Sequence, residues 1–204
     1  MIIKNVFLKL KEIYRKLSVP QFTIVTGLII IFLGTLILSS PLCSSSDVGL
    51  WEAFFTSTSA ITVTGLTIID VGADLNIFGQ IFLAFMLLSG GLGLMAITTF
   101  LQGFVVKGTQ LRTRLDKGKT LDEFGVGGIG RTFQSIAITA TSIISFGAIV
   151  LYFFGFLEIQ NNWERLWSAL FHSISAYNNA GFSLWNSSLQ DYRSNFVVNF
   201  VFIF

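Results

Sequence analysis

The chain has 204 residues, of which 52% are hydrophobic, 15% are aromatic and only 12% are charged. A typical soluble domain carries about 25% charged residues, so this composition argues against a soluble globule. The net charge of +2 gives no reason to expect a nucleic-acid partner, and a single cysteine excludes an intrachain disulfide.

Three charge-free stretches lie at 17–46, 75–106 and 132–157. Each is longer than the roughly 20 apolar residues that cross a bilayer. We therefore predict an all-α, multi-pass integral membrane protein of the cell inner or plasma membrane. The first stretch also fits a signal peptide, because basic residues precede it and small residues follow it. Since further spans follow, we interpret it as a membrane span.

The basic residues lie mostly on one side of the predicted spans. Eleven of the thirteen precede the first span or separate the second from the third: Lys4, Lys9, Lys11, Arg15, Lys16, Lys107, Arg112, Arg114, Lys117, Lys119 and Arg131. The positive-inside rule makes that side, and the N-terminus, cytoplasmic. Seven of the eleven acidic residues then face outward: Asp47, Glu52, Asp70, Asp74, Glu158, Glu164 and Asp191. A cation would meet a mildly acidic outer surface.

An internal repeat relates WEAFFTSTSAITVTGLTIID at 51–70 to WSALFHSISAYNNAGFSLWN at 167–186. Seven of twenty positions are identical at a spacing of 116 residues: Trp51/Trp167, Ala53/Ala169, Phe55/Phe171, Ser57/Ser173, Ser59/Ser175, Ala60/Ala176 and Gly65/Gly181. Each copy follows a charge-free span and predicts a helix of about eleven residues that breaks into a polar, glycine-containing loop. The order is span, half-helix, loop, span.

Such a half-helix and loop is typical of an ion path. Irregular backbone at membrane depth is tolerated where it is buried in protein or lines a water-filled path, and two aligned copies disfavour the alternative of an external loop with an amphipathic helix. Carbonyl oxygens replace the hydration shell of a dehydrated cation, and glycine permits the required backbone angles. The predicted ion-binding residues are Thr62, Val63, Thr64 and Gly65 in the first loop and Asn178, Asn179, Ala180 and Gly181 in the second. The negative C-terminal end of each half-helix favours a cation such as potassium.

These residues resemble the Trk/Ktr/HKT superfamily of potassium transporters, most closely the bacterial Ktr-type membrane subunit. The resemblance rests on TVTGL at 62–66, NNAGF at 178–182, LSGGLGLM at 88–95 and FGVGGIGR at 124–131, and it covers nearly the whole chain. It implies four helix, pore-loop, helix repeats around one pore, with potassium selected over sodium when the first filter has a glycine, as at Gly65. It also implies a homodimer of the pore subunit and a cytoplasmic ring of nucleotide-binding regulatory subunits.

The predicted organisation has four parts: a basic cytoplasmic N-terminus at 1–16, a first repeat at 17–106, a cytoplasmic loop at 107–130 and a second repeat at 131–204. Only eleven residues follow Arg193, about half of a bilayer crossing, so we expect the second repeat to be incomplete. The chain would then supply two of four expected repeats. The predicted function is potassium uptake, passive or sodium-coupled, within a larger transporter. The alternative is a nonconducting truncated polypeptide or a half-subunit that requires a complementary second half.

Other motifs carry less weight. GVGGIG at 125–130 has the form of a dinucleotide fingerprint but lacks the preceding strand and the acidic residue about 20 positions later, so a flexible cytoplasmic loop is predicted there. His172, the only histidine, replaces Thr56 in the repeat and has no cluster of metal ligands or nucleophile partner; we expect packing or a hydrogen bond near the pore. Glycines at 90, 91 and 93 indicate either tight helix contact or a hinge. We expect no enzymatic activity and no cofactor, with potassium bound only at the filter residues.

Overall fold

The computed structural model describes residues 19–91 and 126–203. Within these ranges the chain is all-α, which confirms that part of the predicted fold class. The described residues contain no β-strand, and only an isolated bridge joins Ser44 to Leu75. The predicted N-terminal segment and most of the predicted cytoplasmic loop lie outside the described residues.

The helices follow one another in the order that the repeat predicts. They are α1 Val19–Leu38, α2 Leu50–Thr62, α3 Val71–Asp74, α4 Ile77–Gly91, α5 Val126–Val150, α6 Asn162–Tyr177 and α7 Phe196–Ile203. A π-helical stretch, Leu151–Gly155, continues α5 directly, and Gln190–Tyr192 forms one 3₁₀ turn before α7.

Long apolar helices expose much of their surface. Gln134–Gly155, with 22 residues, is long and apolar enough to cross a membrane, whereas Thr23–Leu38 and Ile77–Gly91 are apolar but shorter. On α1, side chains one turn apart at Ile24, Leu28 and Phe32 are each 61 to 64% exposed. A contiguous apolar face of this kind marks an interaction surface, and lipid is one environment that accepts it.

Asparagine side chains fix where the helices begin after each loop. The Oδ1 atom of Asn76 accepts hydrogen bonds from the N–H groups of Phe78 and Gly79 at the start of α4. Asn195 caps α7 in the same way. An asparagine at this position satisfies N–H groups that have no partner within the helix. The two halves of the chain therefore start their last described helices by the same local chemistry.

The helices pack as two similar units. In the first, α2 lies against α1 and α4, and in the second, α6 lies against α5 and α7. One hydrophobic core joins the units, with buried side chains from both, including Ile61, Leu87, Phe171 and Phe182. The indole Nε1–H of Trp167 on α6 also donates to Oε1 of Gln80 on α4 at 2.7 Å. The contact between the units thus combines apolar packing with a specific hydrogen bond.

Two boundaries differ from the sequence-based expectations. Helix α5 begins at Val126, inside the predicted loop of 107–130, so the last five residues of that loop are helical. Helix α6 begins at Asn162, five residues before the repeat does, and has 16 residues instead of about eleven. Glycine is only a weak helix breaker when a long apolar helix continues beyond it. The glycine-rich segment was therefore a poor indicator of a turn.

Candidate functional site

Helix α2 ends in a Schellman motif at the first predicted loop. The N–H of Val63 donates to the carbonyl of Ala60 at 3.4 Å, and the N–H of Thr64 donates to the carbonyl of Ser59 at 2.9 Å. This pair of bonds satisfies carbonyls that the helix leaves unpaired. It places Val63 in the left-handed region, at φ 54° and ψ 40°, where a β-branched residue is a genuine outlier.

The second loop repeats this geometry. The N–H of Asn179 donates to the carbonyl of Ala176 at 2.9 Å, and the N–H of Ala180 donates to the carbonyl of Ser175 at 2.8 Å. Asn179 is also left-handed, with φ 50°. Each of these four residues lies 116 positions after its counterpart in the first loop. The two half-helices therefore end alike in three dimensions as well as in sequence.

Glycines follow two positions after each left-handed residue, and the structure brings them together. Gly65 has φ 82° and Gly181 has φ 69°, backbone angles that glycine adopts readily. A Cβ atom added to Gly65 would lie 2.5 Å from the carbonyl oxygen of Ala180 and 3.5 Å from Cα of Gly181. The backbones of the two loops are thus in contact, and no side chain fits between them at position 65.

Two serines that were not predicted as site residues hold the loops to their half-helices. The Oγ atom of Ser59 accepts from the N–H of Leu66 at 2.9 Å, and the hydroxyl of Ser175 donates to the carbonyl of Phe182 at 2.7 Å. Both bonds tie the residue immediately after a loop glycine back to the helix before it. These serines are identical positions of the repeat, which is the feature of the sequence that could have identified them.

The remaining predicted residues occupy different environments in the two loops. Thr62 and Thr64 are exposed, and their hydroxyl oxygens lie 2.6 Å apart. Asn178, by contrast, is buried against Gly91 of α4, and its Oδ1 atom has no hydrogen-bond partner among the described residues. Asn179 is exposed. The loops share their backbone geometry but not the placement of their side chains.

The described residues of the two loops offer neutral oxygen atoms. Within the described ranges, no group of three His, Cys, Asp or Glu side chains could hold a metal ion. The C-terminal ends of α2 and α6 both lie at the loops, where each helix contributes a partial negative charge. Carbonyl dipoles and helix ends of this sign favour a cation of low charge.

Glycines of α4 allow that helix to approach both half-helix ends. A Cβ atom on Gly90 would lie 2.6 Å from the carbonyl oxygen of Ile61, and one on Gly91 would lie 1.8 Å from Oδ1 of Asn178. Tight contact is thus what Gly90 and Gly91 provide here. A hinge stays a prediction, and Gly93 lies outside the described residues.

His172 is fully buried behind the second loop. It makes the packing and the hydrogen bonds that were expected: its ring stacks on Trp185, and its two nitrogens lie within hydrogen-bond distance of Ser168 and Ser183.

Nearby, Tyr192 packs edge-on against Phe156. Burial, followed by the negative charges of Glu158 and Asp191, raises the pKa of the Tyr192 phenol, so the group stays neutral at physiological pH.

The family follows from comparison with known proteins. Residues 21–204 match the family model TrkH, described as a cation transport protein. The chain belongs to the TrkH family. This membership confirms the resemblance drawn from the motifs at 62–66, 88–95, 124–131 and 178–182. TrkH-family proteins are membrane-embedded cation transporters and not enzymes, which agrees with the expectation that the chain carries out no covalent chemistry.

Several curated proteins resemble this TrkH-family chain. It is 32% identical to Ktr system potassium uptake protein B of Bacillus subtilis over 91% of its own length and 41% of that protein. It is 30% identical to the protein of the same name from Vibrio alginolyticus, over 89% of its own length and 40% of that protein. It is 29% identical to potassium/sodium uptake protein NtpJ of Enterococcus hirae, over 91% of its own length and 41% of that protein. The chain thus spans about two fifths of the length of these relatives.

Proposed function

We propose that this chain forms part of a potassium uptake transporter, in which residues 62–65 and 178–181 supply backbone oxygens to a selectivity filter. One observation carries the proposal. Two loops with a left-handed residue at the equivalent position, the same glycine spacing and the same helix-end bonds meet backbone to backbone at Gly65 and Gly181. Backbone that approaches this closely without side chains is suited to ring an ion with carbonyl oxygens.

The burial of the half-helices supports a pore loop over an external amphipathic helix. Helix α2 packs between α1 and α4 and buries small and hydroxyl side chains, among them Thr56, Ser57 and Ala60. A helix lying on an outer surface would keep such polar side chains in water. The C-terminal ends of α2 and α6 supply the partial negative charge that a potassium ion requires.

The proposed transporter is larger than this chain. A ring of four loops would enclose the ion, and the described residues contain two. In addition, Thr62, Thr64, Asn179 and Gly181 are exposed. This exposure favours the second candidate function, a half-subunit that does not conduct until a complementary second half covers the open side.

The proposed membrane location and assembly of the protein are inferred from its family and from the names of its relatives. We propose a multi-pass protein of the cell membrane with a cytoplasmic N-terminus, working as a homodimer of the pore subunit. Relatives named as parts of a Ktr system support a multi-component assembly, for which we propose the cytoplasmic nucleotide-binding ring. No cofactor is proposed. The name of the potassium/sodium uptake relative is compatible with sodium coupling.

Potassium-limited growth and rubidium uptake test the proposal. Bacteria that lack their own potassium uptake systems would express the chain alone, or together with the remaining part of the Bacillus subtilis relative. Uptake in either case supports transport, and uptake only with the second half identifies a half-subunit. If both pieces reach the membrane and neither arrangement restores uptake, the chain is a nonconducting polypeptide.

A Gly65→Ser substitution tests the filter itself. The side chain would be strained at φ 82° and would meet the carbonyl of Ala180, so we expect a weaker preference for potassium over sodium in the conducting assembly. Gly49→Ser is the matched control, because a Cβ atom there meets only the flexible end of Glu52. Unchanged selectivity in Gly65→Ser would refute the assignment of this loop.

A further inference from the structure

His172 connects the second half-helix to the chain that follows the loop. One ring nitrogen, Nδ1, lies 2.8 Å from the carbonyl oxygen of Ser168, one turn earlier on α6. The other, Nε2, lies 3.0 Å from Oγ of Ser183, two residues after Gly181. The side chain therefore bridges α6 and the segment that leaves the loop.

The carbonyl partner fixes the tautomer. A carbonyl oxygen only accepts hydrogen bonds, so Nδ1 carries the hydrogen, and in a neutral imidazole Nε2 is then the acceptor. The hydroxyl of Ser183 must donate to it. The same Ser183 oxygen accepts from the N–H of Trp185 at 3.1 Å. An unbroken series of hydrogen bonds thus runs from the backbone of Trp185 through Ser183 and His172 to α6.

Aromatic side chains hold the imidazole in this orientation. Trp185 stacks on the ring with centroids 4.2 Å apart, and Phe156 meets it edge-on at 5.5 Å. His172 has no solvent exposure. A ring that is packed on its face and edge and bonded at both nitrogens has little freedom to turn.

The first repeat lacks this bridge although it keeps the surrounding positions. Thr67, the counterpart of Ser183, accepts from the N–H of Ile69 at 3.2 Å, as Ser183 does from Trp185. Its hydroxyl, however, donates to the nearby carbonyl of Ile69. Thr56, the counterpart of His172, is buried, and no described residue forms a hydrogen bond with its Oγ1 atom. Within the described residues, the side chain at this position therefore bridges the half-helix and the loop exit in the second repeat and not in the first.

We propose that His172 is a positioning residue for the second filter loop. By holding Ser183 against α6, it fixes the chain just after Gly181 and so keeps that glycine in register against Gly65. The first loop lacks this bridge, and its exit is held to the half-helix by the bond from the N–H of Leu66 to Oγ of Ser59. This inference rests on the proposed filter function of the loop, but its structural part can be measured without transport.

Nitrogen-15 NMR of the histidine tests the bridge directly. Because the chain has one histidine, histidine-labelled protein in lipid nanodiscs gives one pair of ring signals. We expect a protonated Nδ1 and a hydrogen-bonded, unprotonated Nε2, with Ser183→Ala moving the Nε2 signal. Thr67→Ala removes the equivalent loop hydroxyl of the first repeat and should leave it unmoved. Protonation at Nε2, or no response to Ser183→Ala, would overturn the bridge.

Ion selectivity tests the positioning role in the assembly with a complementary second half. His172→Gln can present an amide oxygen to the hydroxyl of Ser183, whereas His172→Asn is too short and keeps only a group near Ser168. We expect His172→Asn and Ser183→Ala each to lower the potassium-over-sodium preference roughly fivefold, about the effect of one hydrogen bond. The potassium-over-sodium preference of His172→Gln and of Thr67→Ala should stay near that of the parent.

The two measurements separate the possible failures. If the parent assembly takes up no rubidium, the proposed function has failed while the NMR result still decides whether the bridge exists. If the parent transports and the NMR confirms the bridge, but His172→Asn at equal membrane abundance keeps the parent selectivity, the positioning role is wrong and His172 is only a packing residue.

Discussion

A left-handed residue follows each half-helix, and at Val63 it carries conformational strain. Asn179 tolerates this region, since asparagine is enriched there, but Val63 does not, and the cost for an ordinary residue is roughly 1–2 kcal/mol. The Schellman bonds and the bonds from Ser59 and Ser175 hold both loops in this shape. Left-handed geometry that recurs at equivalent positions of two loops, even where it is strained at Val63, points to a functional demand on the backbone.

The two loop glycines should respond differently to alanine. Both substitutions introduce a side chain at a positive φ, at a cost of roughly 1–2 kcal/mol. Gly65→Ala also drives its Cβ atom to within 2.5 Å of the carbonyl oxygen of Ala180, whereas at Gly181 the nearest atom is Cα of Gly65 at an ordinary 3.5 Å. We expect Gly65→Ala to lower the midpoint of thermal unfolding in detergent more than Gly181→Ala does. Equal losses would contradict the loop contact described above.

Helix packing distinguishes positions that the repeat makes identical. Trp51 and Trp167 are the same residue at equivalent places, yet Trp51 is 73% exposed while Trp167 packs against the shared core and bonds to Gln80. The difference arises because α4 lies beside α6 and presents an amide to it, whereas no described helix lies over Trp51. Two identical residues of a sequence repeat can therefore have different neighbours in the folded chain, and the repeat alone does not show which helix packs against each.

This tryptophan pair gives a matched test of the contact between the units. Trp167→Phe keeps a smaller aromatic side chain but removes the N–H donor and leaves Oε1 of the buried Gln80 without that partner. A lost hydrogen bond with a buried unpaired acceptor costs about 1–3 kcal/mol. We expect a lower thermal unfolding midpoint for Trp167→Phe and little change for Trp51→Phe, measured on purified protein in one detergent. A comparable loss in both variants would show that the bond to Gln80 contributes nothing specific.

The repeat predicted much of the local structure of the site but little of its assembly. The offset of 116 residues located both half-helices, both loops and both glycines, because local chain geometry follows local sequence. The left-handed Val63 was not predictable, since valine disfavours that region, and neither was the start of α5 within a glycine-rich segment. Contacts such as Gly91 with Asn178 depend on how distant helices meet, which no short sequence pattern records.

The long helices of the molecule are almost free of charged residues. Helices α1 and α4 contain no charged residue, and α5 contains none after Arg131. With 20 residues, α1 is about 30 Å long, the thickness of the hydrocarbon core. The ends of α1 can therefore lie on opposite sides of a bilayer, which places the connection at 39–49 outside if the basic N-terminus lies inside.

Cysteine labelling tests this orientation. In a Cys43→Ala background, cysteines at Leu42 and Leu157, which are 79% and 58% exposed, should react with a membrane-impermeant maleimide on intact cells. A cysteine at Lys117, in the predicted cytoplasmic loop, should react only after the cells are permeabilised, because the positive-inside rule places that basic segment in the cytoplasm. Labelling of Lys117→Cys on intact cells with protection of Leu42→Cys would reverse the predicted topology, and the acidic residues predicted to face outward would then face the cytoplasm.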